Sequence, residues 1–318
     1  MGAMTVSPDR ARLAGRAVRG APGLRGRRRV ISDPGDVARA VAMLAEGAVV
    51  AHAFANFYAI TTRPREYTVR RVNHLKGRPL GQIGSITSVP SLVPGLWDLD
   101  QLPDGLDRRA LLRLVRALWD LGPFGFRGPA AAHLPSHLTK SEGAVRTAQV
   151  IAAGARCPSE ALMTAALRAT GTDFLYVTSA NRSHHRTGAD DTPAHWKAAG
   201  LLAEFGDQHD FLLLEHDDED AARRRYPHHV PMSTSILGFH ATVRVKGDPR
   251  PQLVLERAGS LPAGVVRAVL DAHGFGLVLG PGAATPLQPR DYLTRLCDRE
   301  HGASLHEERE AAAAGQTS

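Results

Sequence analysis

Cysteine is scarce in this sequence: of 318 residues, only Cys157 and Cys297 carry a thiol. Their separation fits neither a metal-binding cluster nor a redox pair, so we expect two reduced thiols in a cytoplasmic protein. Long hydrophobic runs are also missing, because no apolar stretch reaches the roughly 18 residues that a membrane helix needs. The sequence therefore argues against a disulfide scaffold and against a membrane-spanning protein.

Most of the chain has no net charge, although the whole protein has a formal net charge of +7. Residues 1–29 contain eight arginines and a single acid, Asp9, and this segment alone accounts for the net charge. We expect a disordered arginine-rich arm over 1–29 that contacts tRNA phosphates in a salt-dependent way. A solvated tail without a partner is the alternative reading of the same segment.

Metal-binding motifs are absent as well. The histidine pairs His184-His185 and His228-His229 are the nearest candidates. Adjacent histidines in a loop do not ordinarily chelate one ion, so no protein metal site is predicted.

Hydrophobic periodicity predicts alternating helices and buried strands. A first helix starts after Ser32, Asp33 and Pro34 and stops at Gly47, and a buried strand follows over 48–54. Further helices are predicted over 64–75, 105–120, 158–170 and 262–273, and further strands over 145–154, 174–178, 211–214, 235–245 and 253–257. Residues 122–138 are predicted as irregular strand and loop, and residues 215–229 as a charged loop. The pattern indicates one α/β domain with mixed strand order.

Six short polar motifs follow one another between these elements. They are K-G-R-P at 76–79, G-P-F at 122–124, R-C-P at 156–158, T-S-A-N at 178–181, S-T at 233–234 and R-A-G at 257–259. Their order and spacing over residues 33–263 resemble the YrdC-like (TsaC-like) family of threonylcarbamoyl-AMP synthases, from which this chain would be a divergent member. Each motif is weak by itself, and the resemblance depends on all six together.

The resemblance implies a fold and a division of the chain. The fold is a twisted mixed α/β sheet with flanking helices around a positively lined cavity. Residues 30–263 are expected to form the YrdC-like domain, 264–300 a C-terminal helical extension and 301–318 a disordered tail.

The resemblance also implies an activity. Family members combine L-threonine, bicarbonate and ATP into threonylcarbamoyl-AMP and release pyrophosphate, and the product serves tRNA threonylcarbamoyladenosine modification. We therefore expect an ATP-binding nucleotidyltransferase with no tightly bound cofactor. Mg²⁺ would accompany ATP, held mostly by phosphate and water.

The site residues follow from the matching motifs. A carbamate and a triphosphate are both anions, so fixed cations and hydrogen-bond donors must offset their repulsion. By the resemblance, Lys76 and Arg78 are catalytic. The residues expected to bind ATP or its phosphates are Lys76, Arg78, Arg156, Ser179, Asn181, Ser233 and Arg257. The alternatives are an ion pair at a helix start for Arg156, a turn for Ser233 and a surface strand for Arg257.

Residues 53–60 depart from the family, whose members carry P-T-E/D-T-x-Y-G-L there. Only Tyr58 survives, while Phe54 and Asn56 replace the two threonines. The amino-acid pocket is therefore predicted at Phe54, Asn56 and Tyr58 with altered contacts. An unpaired polar group costs about 1–3 kcal/mol, so threonine would bind less well. The alternative is a repacked interior in which the backbone still binds threonine.

Two other functions fit the same sequence. The altered segment and the arginine-rich arm favour a non-catalytic YrdC-like protein that binds RNA or a nucleotide. A specialised carbamoyl-adenylate enzyme with a different amine substrate would keep the adenylate chemistry. It would need a partner protein, because a second catalytic domain is not visible in the sequence.

Overall fold

The protein is described by a computed structural model that covers residues 28–183, 193–206, 208, 211–285 and 287–290. The helices in these residues are α1 (Pro34–Ala45), α2 (Glu66–Lys76), α3 (Arg108–Leu121), α4 (Glu160–Thr170), α5 (Ala198–Phe205), α6 (Glu219–Arg225) and α7 (Ala263–Ala272). The strands are β1 (Val49–Phe54), β2 (Phe57–Thr62), β3 (Ser85–Thr87), β4 (Phe124–Pro129), β5 (Thr139–Glu142), β6 (Val145–Ala152), β7 (Leu175–Ser179), β8 (Phe211–Leu214), β9 (Ile236–Val245), β10 (Asp248–Arg257) and β11 (Gly276–Leu279).

Helix boundaries follow local capping chemistry. The Asp33 carboxylate accepts a hydrogen bond from the Asp36 backbone N–H at 2.8 Å, and α1 begins at Pro34. Gly77 ends α2 with a φ of 69°, a conformation that glycine adopts without steric cost. Lys76 is therefore the last helical residue, at the point where the chain enters the K-G-R-P loop.

All eleven strands belong to one mixed sheet in the order β11-β10-β9-β4-β6-β3-β7-β2-β1-β8, with β5 paired to β6. The pairs β9–β4, β6–β3, β1–β8 and β10–β11 are parallel, and the other pairs are antiparallel. The predicted α/β fold with mixed strand order is confirmed. The motif-bearing ends of β7, β9 and β10 are thereby carried to one region of the sheet.

The core lies between this sheet and the helices. Four apolar residues of α3, placed at helical spacing, are buried as the sequence predicted: Leu111, Leu114, Val115 and Leu118. Strands β1 and β2 are buried along their whole lengths, as expected for a strand in the middle of a sheet that is covered on both faces. No helix among the described residues is long and apolar enough to span a bilayer.

Several details differ from the sequence-based expectations. The charged loop predicted over 215–229 contains helix α6, which Asp218 caps through the backbone N–H groups of Asp220 and Ala221. The segment after β1 turns at Ala55 and Asn56 into β2, a strand that was not predicted separately. In Gly276–Leu279, the predicted helical extension contributes β11, which pairs with β10, so the sheet continues past residue 263.

Most of the predicted arm and the whole predicted tail lie outside the described residues. Residues 1–27 and 291–318 lie outside the described residues, as do His184 and His185. Arg28 and Arg29, assigned to the disordered arm, instead contact the sheet edge. Arg28 pairs with Glu215 at 3.1 Å, and the Glu215 backbone N–H donates to the Arg29 carbonyl.

Candidate functional site

A cavity of about 270 Å³ opens against the sheet between the K-G-R-P loop and the ends of β7, β9 and β10. Five of the predicted site residues line it: Phe54, Arg78, Ser179, Ser233 and Arg257. These residues come from positions 54 to 257 of the chain, so the convergence is a property of the fold. Motifs that were individually weak meet at one place.

The loop over residues 77–84 forms one wall of this cavity. The Asn73 side-chain amide donates to the carbonyls of Leu80 and Gln82 at 3.1 and 2.8 Å, which fixes the loop to the end of α2. Gly84 packs against Tyr176 so closely that an added Cβ would lie 2.2 Å from the ring. This glycine is required by packing against β7, which accounts for part of the glycine content of the loop.

Arg78 extends from this loop into the cavity. Its Nη1 donates to Thr178 Oγ1 at 2.9 Å, so the guanidinium is anchored to the end of β7. Its Nε is buried and has no hydrogen-bond partner. A buried N–H without a partner is energetically unfavourable, so the Arg78 guanidinium would gain from a nearby anionic acceptor.

Lys76 is fully buried under the cavity and is absent from its lining. Its Nζ donates to the Ser179 carbonyl and lies 3.4 Å from Asn181 Oδ1, which also accepts from Ser179 Oγ. Burial lowers the Lys76 pKa well below its usual 10.5, and the Arg78 charge lowers it further, while Glu204 opposes the shift. Lys76, Ser179 and Asn181 thus form one cluster that reaches the cavity through Ser179.

The S-T and R-A-G motifs meet on the opposite side. Arg257 Nε donates to the Thr234 carbonyl at 2.8 Å, and its Nη2 donates to Thr234 Oγ1 at 3.2 Å. A Cβ at Gly259 would lie 2.3 Å from the Ser233 carbonyl, so glycine is needed where the two segments touch. The pairing places a guanidinium and the Ser233 hydroxyl on one wall.

Sequence reasoning missed several polar lining residues, among them Arg127, Lys140 and Gln149. Arg127 Nε pairs with Glu256 Oε2 at 2.6 Å, and its Nη2 donates to Gln149 Oε1 at 2.7 Å. An arginine between the buried Phe126 and Gly128 was the available signal, since a strand alternates its faces. The irregular structure predicted over 122–138 concealed that alternation.

Three predicted site residues are not brought to the cavity. Arg156 is exposed in the turn before α4, with a φ of 60°. Tyr58 faces away from it, because its hydroxyl donates to Glu219 at 2.9 Å and accepts from the His216 backbone N–H at 3.2 Å. The Asn56 amide donates to the His229 carbonyl at 3.1 Å, also away from the cavity.

An aromatic wall replaces the predicted amino-acid contacts. The rings of Phe54 and Phe57 lie 5.4 Å apart, and both line the cavity with Ile151 and Val177. Four cationic side chains line the same space: Arg78, Arg127, Lys140 and Arg257. This combination suits a ligand that carries concentrated negative charge next to an apolar group.

Comparison with known proteins shows similarity at the level of the fold. No protein-family model matches the sequence, and no curated protein matches it. The solved structure of P. abyssi Sua5 complexed with L-threonine has 16% sequence identity and a TM-score of 0.51, covering 87% of this chain and 75% of that chain. A double variant of the same Sua5 gives 17% identity, a TM-score of 0.53 and coverage of 87% and 73%.

A hypothetical protein from Streptococcus mutans is similar over a larger share of its own length. It has 14% identity and a TM-score of 0.54, covering 76% of this chain and 94% of that chain. The fold predicted from the order of the motifs is therefore confirmed by three solved structures.

Proposed function

We propose that this protein is a nucleotidyltransferase that joins an amino-acid carbamate to the α-phosphate of ATP and releases pyrophosphate. The observation that carries the proposal is the cavity of about 270 Å³, which is lined by four cations from four segments of the chain, two of them, Arg127 and Lys140, already paired with carboxylates. Cations fixed in advance offset the repulsion between a carbamate and a triphosphate. The fold shared with a Sua5 that was solved with L-threonine supports an amino acid as the second substrate.

The contacts of each residue suggest a separate role for it in this reaction. Arg78 and Arg257 bind the phosphates, and Ser179 and Ser233 add hydroxyl donors from the same walls. Lys76 contacts Ser179 and Asn181, and an anion in the cavity would favour its charged form. Mg²⁺ arrives with ATP and is held by phosphate oxygens and water. Bicarbonate and the amine condense to the carbamate with loss of water, and the carbamate oxygen then bonds to the α-phosphorus as the bond to the departing pyrophosphate breaks.

L-Threonine is the first amine to test, and the product would then serve tRNA threonylcarbamoyladenosine modification. Such a role implies a cytoplasmic protein, with tRNA contacted through residues 1–29. Phe54 stands where the family has the first threonine of its segment, so the amine binds against an aromatic wall. A different amine in a specialised carbamoyl-adenylate enzyme is the variant of this proposal that the wall favours.

Pyrophosphate release provides the test. The full chain is incubated with ATP, Mg²⁺ and bicarbonate, separately with each of the twenty amino acids. We expect release that requires bicarbonate and one amino acid or a small group of them. Arg78→Gln and Arg257→Gln should reduce the rate at least tenfold, since a charged hydrogen bond contributes about 1.5–3 kcal/mol. Arg156→Gln is the matched control, because Arg156 is exposed away from the cavity. Absence of release with all twenty amino acids refutes the proposal.

A second candidate function is binding of a nucleotide or RNA without chemistry. It is favoured by the burial of Lys76 and by the two phenylalanines at the amino-acid end. This candidate predicts ATP binding without pyrophosphate release and a salt-dependent affinity for tRNA. Deletion of residues 1–27 keeps the Arg28–Glu215 pair, so equal tRNA binding by the full and shortened chains would exclude the arm as the contact.

A further inference from the structure

Next to Arg127 and Lys140, three metal-ligating side chains converge. Glu142 comes from β5, His240 from β9 and Glu256 from β10, and one ligand atom of each lies within 4.8 Å of the others. Their side chains are 15–25% exposed, so the cluster is mostly withdrawn from solvent. Neither the K-G-R-P loop nor any other motif of the sequence includes these residues.

Most of the polar atoms in this cluster already have partners. Glu256 Oε2 is paired with Arg127 at 2.6 Å, and Glu142 Oε1 with Lys140 at 2.8 Å. Glu142 Oε2 lies 2.8 Å from His240 Nε2. Two atoms are left over, namely His240 Nδ1 and Glu256 Oε1. Both are buried without a hydrogen-bond partner, and they lie 3.7 Å apart.

The spacing of these two atoms is too long for a hydrogen bond, which ends near 3.5 Å. When His240 Nε2–H donates to Glu142, Nδ1 of the neutral ring carries a lone pair that faces the Glu256 carboxylate. A proton on Nδ1 would still leave the two atoms beyond hydrogen-bond distance, whereas a metal ion between them would contact both. With metal–ligand distances of about 2.0–2.2 Å, a separation of 3.7 Å corresponds to an angle near 125° at the metal, close to tetrahedral.

The backbone beside the two atoms carries no side chain. Gly238 lies next to them, and a Cβ there would come within 2.5 Å of Glu256 Oε1 and 3.2 Å of His240 Cε1. Any larger residue would push the carboxylate away from the ring. Glu142 would hold the imidazole by its other nitrogen, an arrangement that orients metal-binding histidines and makes them better ligands.

We propose that His240 Nδ1 and Glu256 Oε1 bind one divalent transition-metal ion, with Glu142 as the carboxylate that orients His240. One imidazole and one carboxylate suit Zn²⁺, while Mg²⁺ prefers oxygen ligands alone. Water completes the coordination. This site is separate from any Mg²⁺ that accompanies ATP, and it does not depend on the proposed enzymatic activity.

Zn²⁺ titration of the full-length protein by calorimetry tests the site. Other histidines can also bind Zn²⁺, so the number of Zn²⁺ ions bound per chain is compared between the wild type and single variants. We expect His240→Gln to bind one Zn²⁺ fewer per chain than the wild type. His133→Gln, which removes an exposed histidine, should bind the same number as the wild type. Melting temperatures measured in chelator confirm that each variant is folded.

Gly238→Ala is the second variant, because it keeps every ligand and fills the space beside them. It should lose the same single Zn²⁺ as His240→Gln. Equal Zn²⁺ stoichiometry in the wild type and in folded His240→Gln overturns the proposal. If His240→Gln does not fold, unchanged Zn²⁺ binding by folded Gly238→Ala overturns it instead.

Discussion

Replacement of Lys76 by methionine tests the central feature of the site, a lysine side chain held in the protein interior. Lys76 is fully buried, and burial lowers its pKa well below the usual 10.5. Between that lowered pKa and 10.5, the unfolded chain binds more protons than the folded one. The free energy of unfolding therefore rises with pH across this window, by at most about 1.4 kcal/mol per pH unit for one group.

Methionine keeps most of the lysine stem and cannot ionise. At neutral pH two effects of Lys76→Met oppose each other. The variant leaves the Ser179 carbonyl without its donor, which costs about 1–3 kcal/mol, and it removes the cost of burying an ammonium. As the pH rises, only the wild type gains stability from Lys76, so the difference between the two proteins should grow in favour of the wild type.

Urea unfolding of both proteins at a series of pH values between 7 and 10 measures this difference. Cys157 and the buried tyrosines have raised pKa values and weaken the fold at alkaline pH, but they do so equally in both proteins. Subtraction therefore isolates Lys76. Parallel curves for the wild type and Lys76→Met would show that Lys76 titrates like an exposed lysine and would refute the reasoning.

The same feature should appear in ligand binding. An anion in the cavity favours the ammonium form of Lys76, so pyrophosphate binding should take up as much as one proton per site. Calorimetry in buffers of different ionisation enthalpy measures that uptake. It should vanish in Lys76→Met and persist in Arg156→Gln. A binding enthalpy that is the same in every buffer contradicts the linkage.

Three further predictions concern stability. Burial lowers the pKa of His52 to about 4. The contribution of the neutral His52 ring to stability is therefore complete above pH 6.5 and is lost as the pH falls towards 4. The free energy of unfolding of His52→Gln should depend less on pH in this acid range than that of the wild type. Phe54→Ala should lower the free energy of unfolding by about 3–5 kcal/mol in urea, because the ring is fully buried. Arg156 has a φ of 60°, a backbone conformation that is strained for arginine and not for glycine. Arg156→Gly should therefore raise the melting temperature, since relief of this strain is worth about 1 kcal/mol. A melting temperature that is unchanged or lower would contradict the strain at Arg156.

Local patterns in the sequence were sufficient for most helices and strands. Asp33 and Pro34 mark the start of α1, and the spacing of Leu111, Leu114 and Leu118 identifies the buried face of α3. Helix α6 was not predicted, because its seven residues show too little hydrophobic periodicity to distinguish a helix from a charged loop. The fold was predicted from the order and spacing of six motifs. Each motif is a weak match alone, but a chance match of all six in the same order is improbable.

The amino-acid end of the site could not be predicted because it depends on one turn. Ala55 has a φ of 55°, unusual for a residue other than glycine, and with Asn56 it forms the two-residue turn between β1 and β2. In β2, successive side chains alternate between faces, so Phe57 faces the cavity and Tyr58 faces Glu219. A shift of one residue would reverse this assignment, and the motif alone does not specify it.

The polar wall opposite the K-G-R-P loop was unpredictable for a different reason. Arg127, Gln149 and Ser85 lie on three separate strands, and they join only after β4, β6 and β3 pair. Gln149 donates to Ser85 Oγ at 2.5 Å and accepts from Arg127 at 2.7 Å. Contacts over such sequence separations leave no periodic signal, so Arg127 resembled any other arginine of a loop.

Two of the three arginines that line the cavity, Arg78 and Arg127, differ in how their side chains are paired. Arg127 already pairs with Glu256 and bonds to Gln149, so a ligand would have to compete with a carboxylate for its guanidinium. Arg78 bonds to the neutral Thr178 hydroxyl and keeps a buried Nε without a partner. An anion gains more from a donor that is desolvated and unpaired than from one that is already neutralised. If the proposed function is correct, we therefore expect the first phosphate contact at Arg78, with Arg127 and Gln149 forming the wall beside the amine.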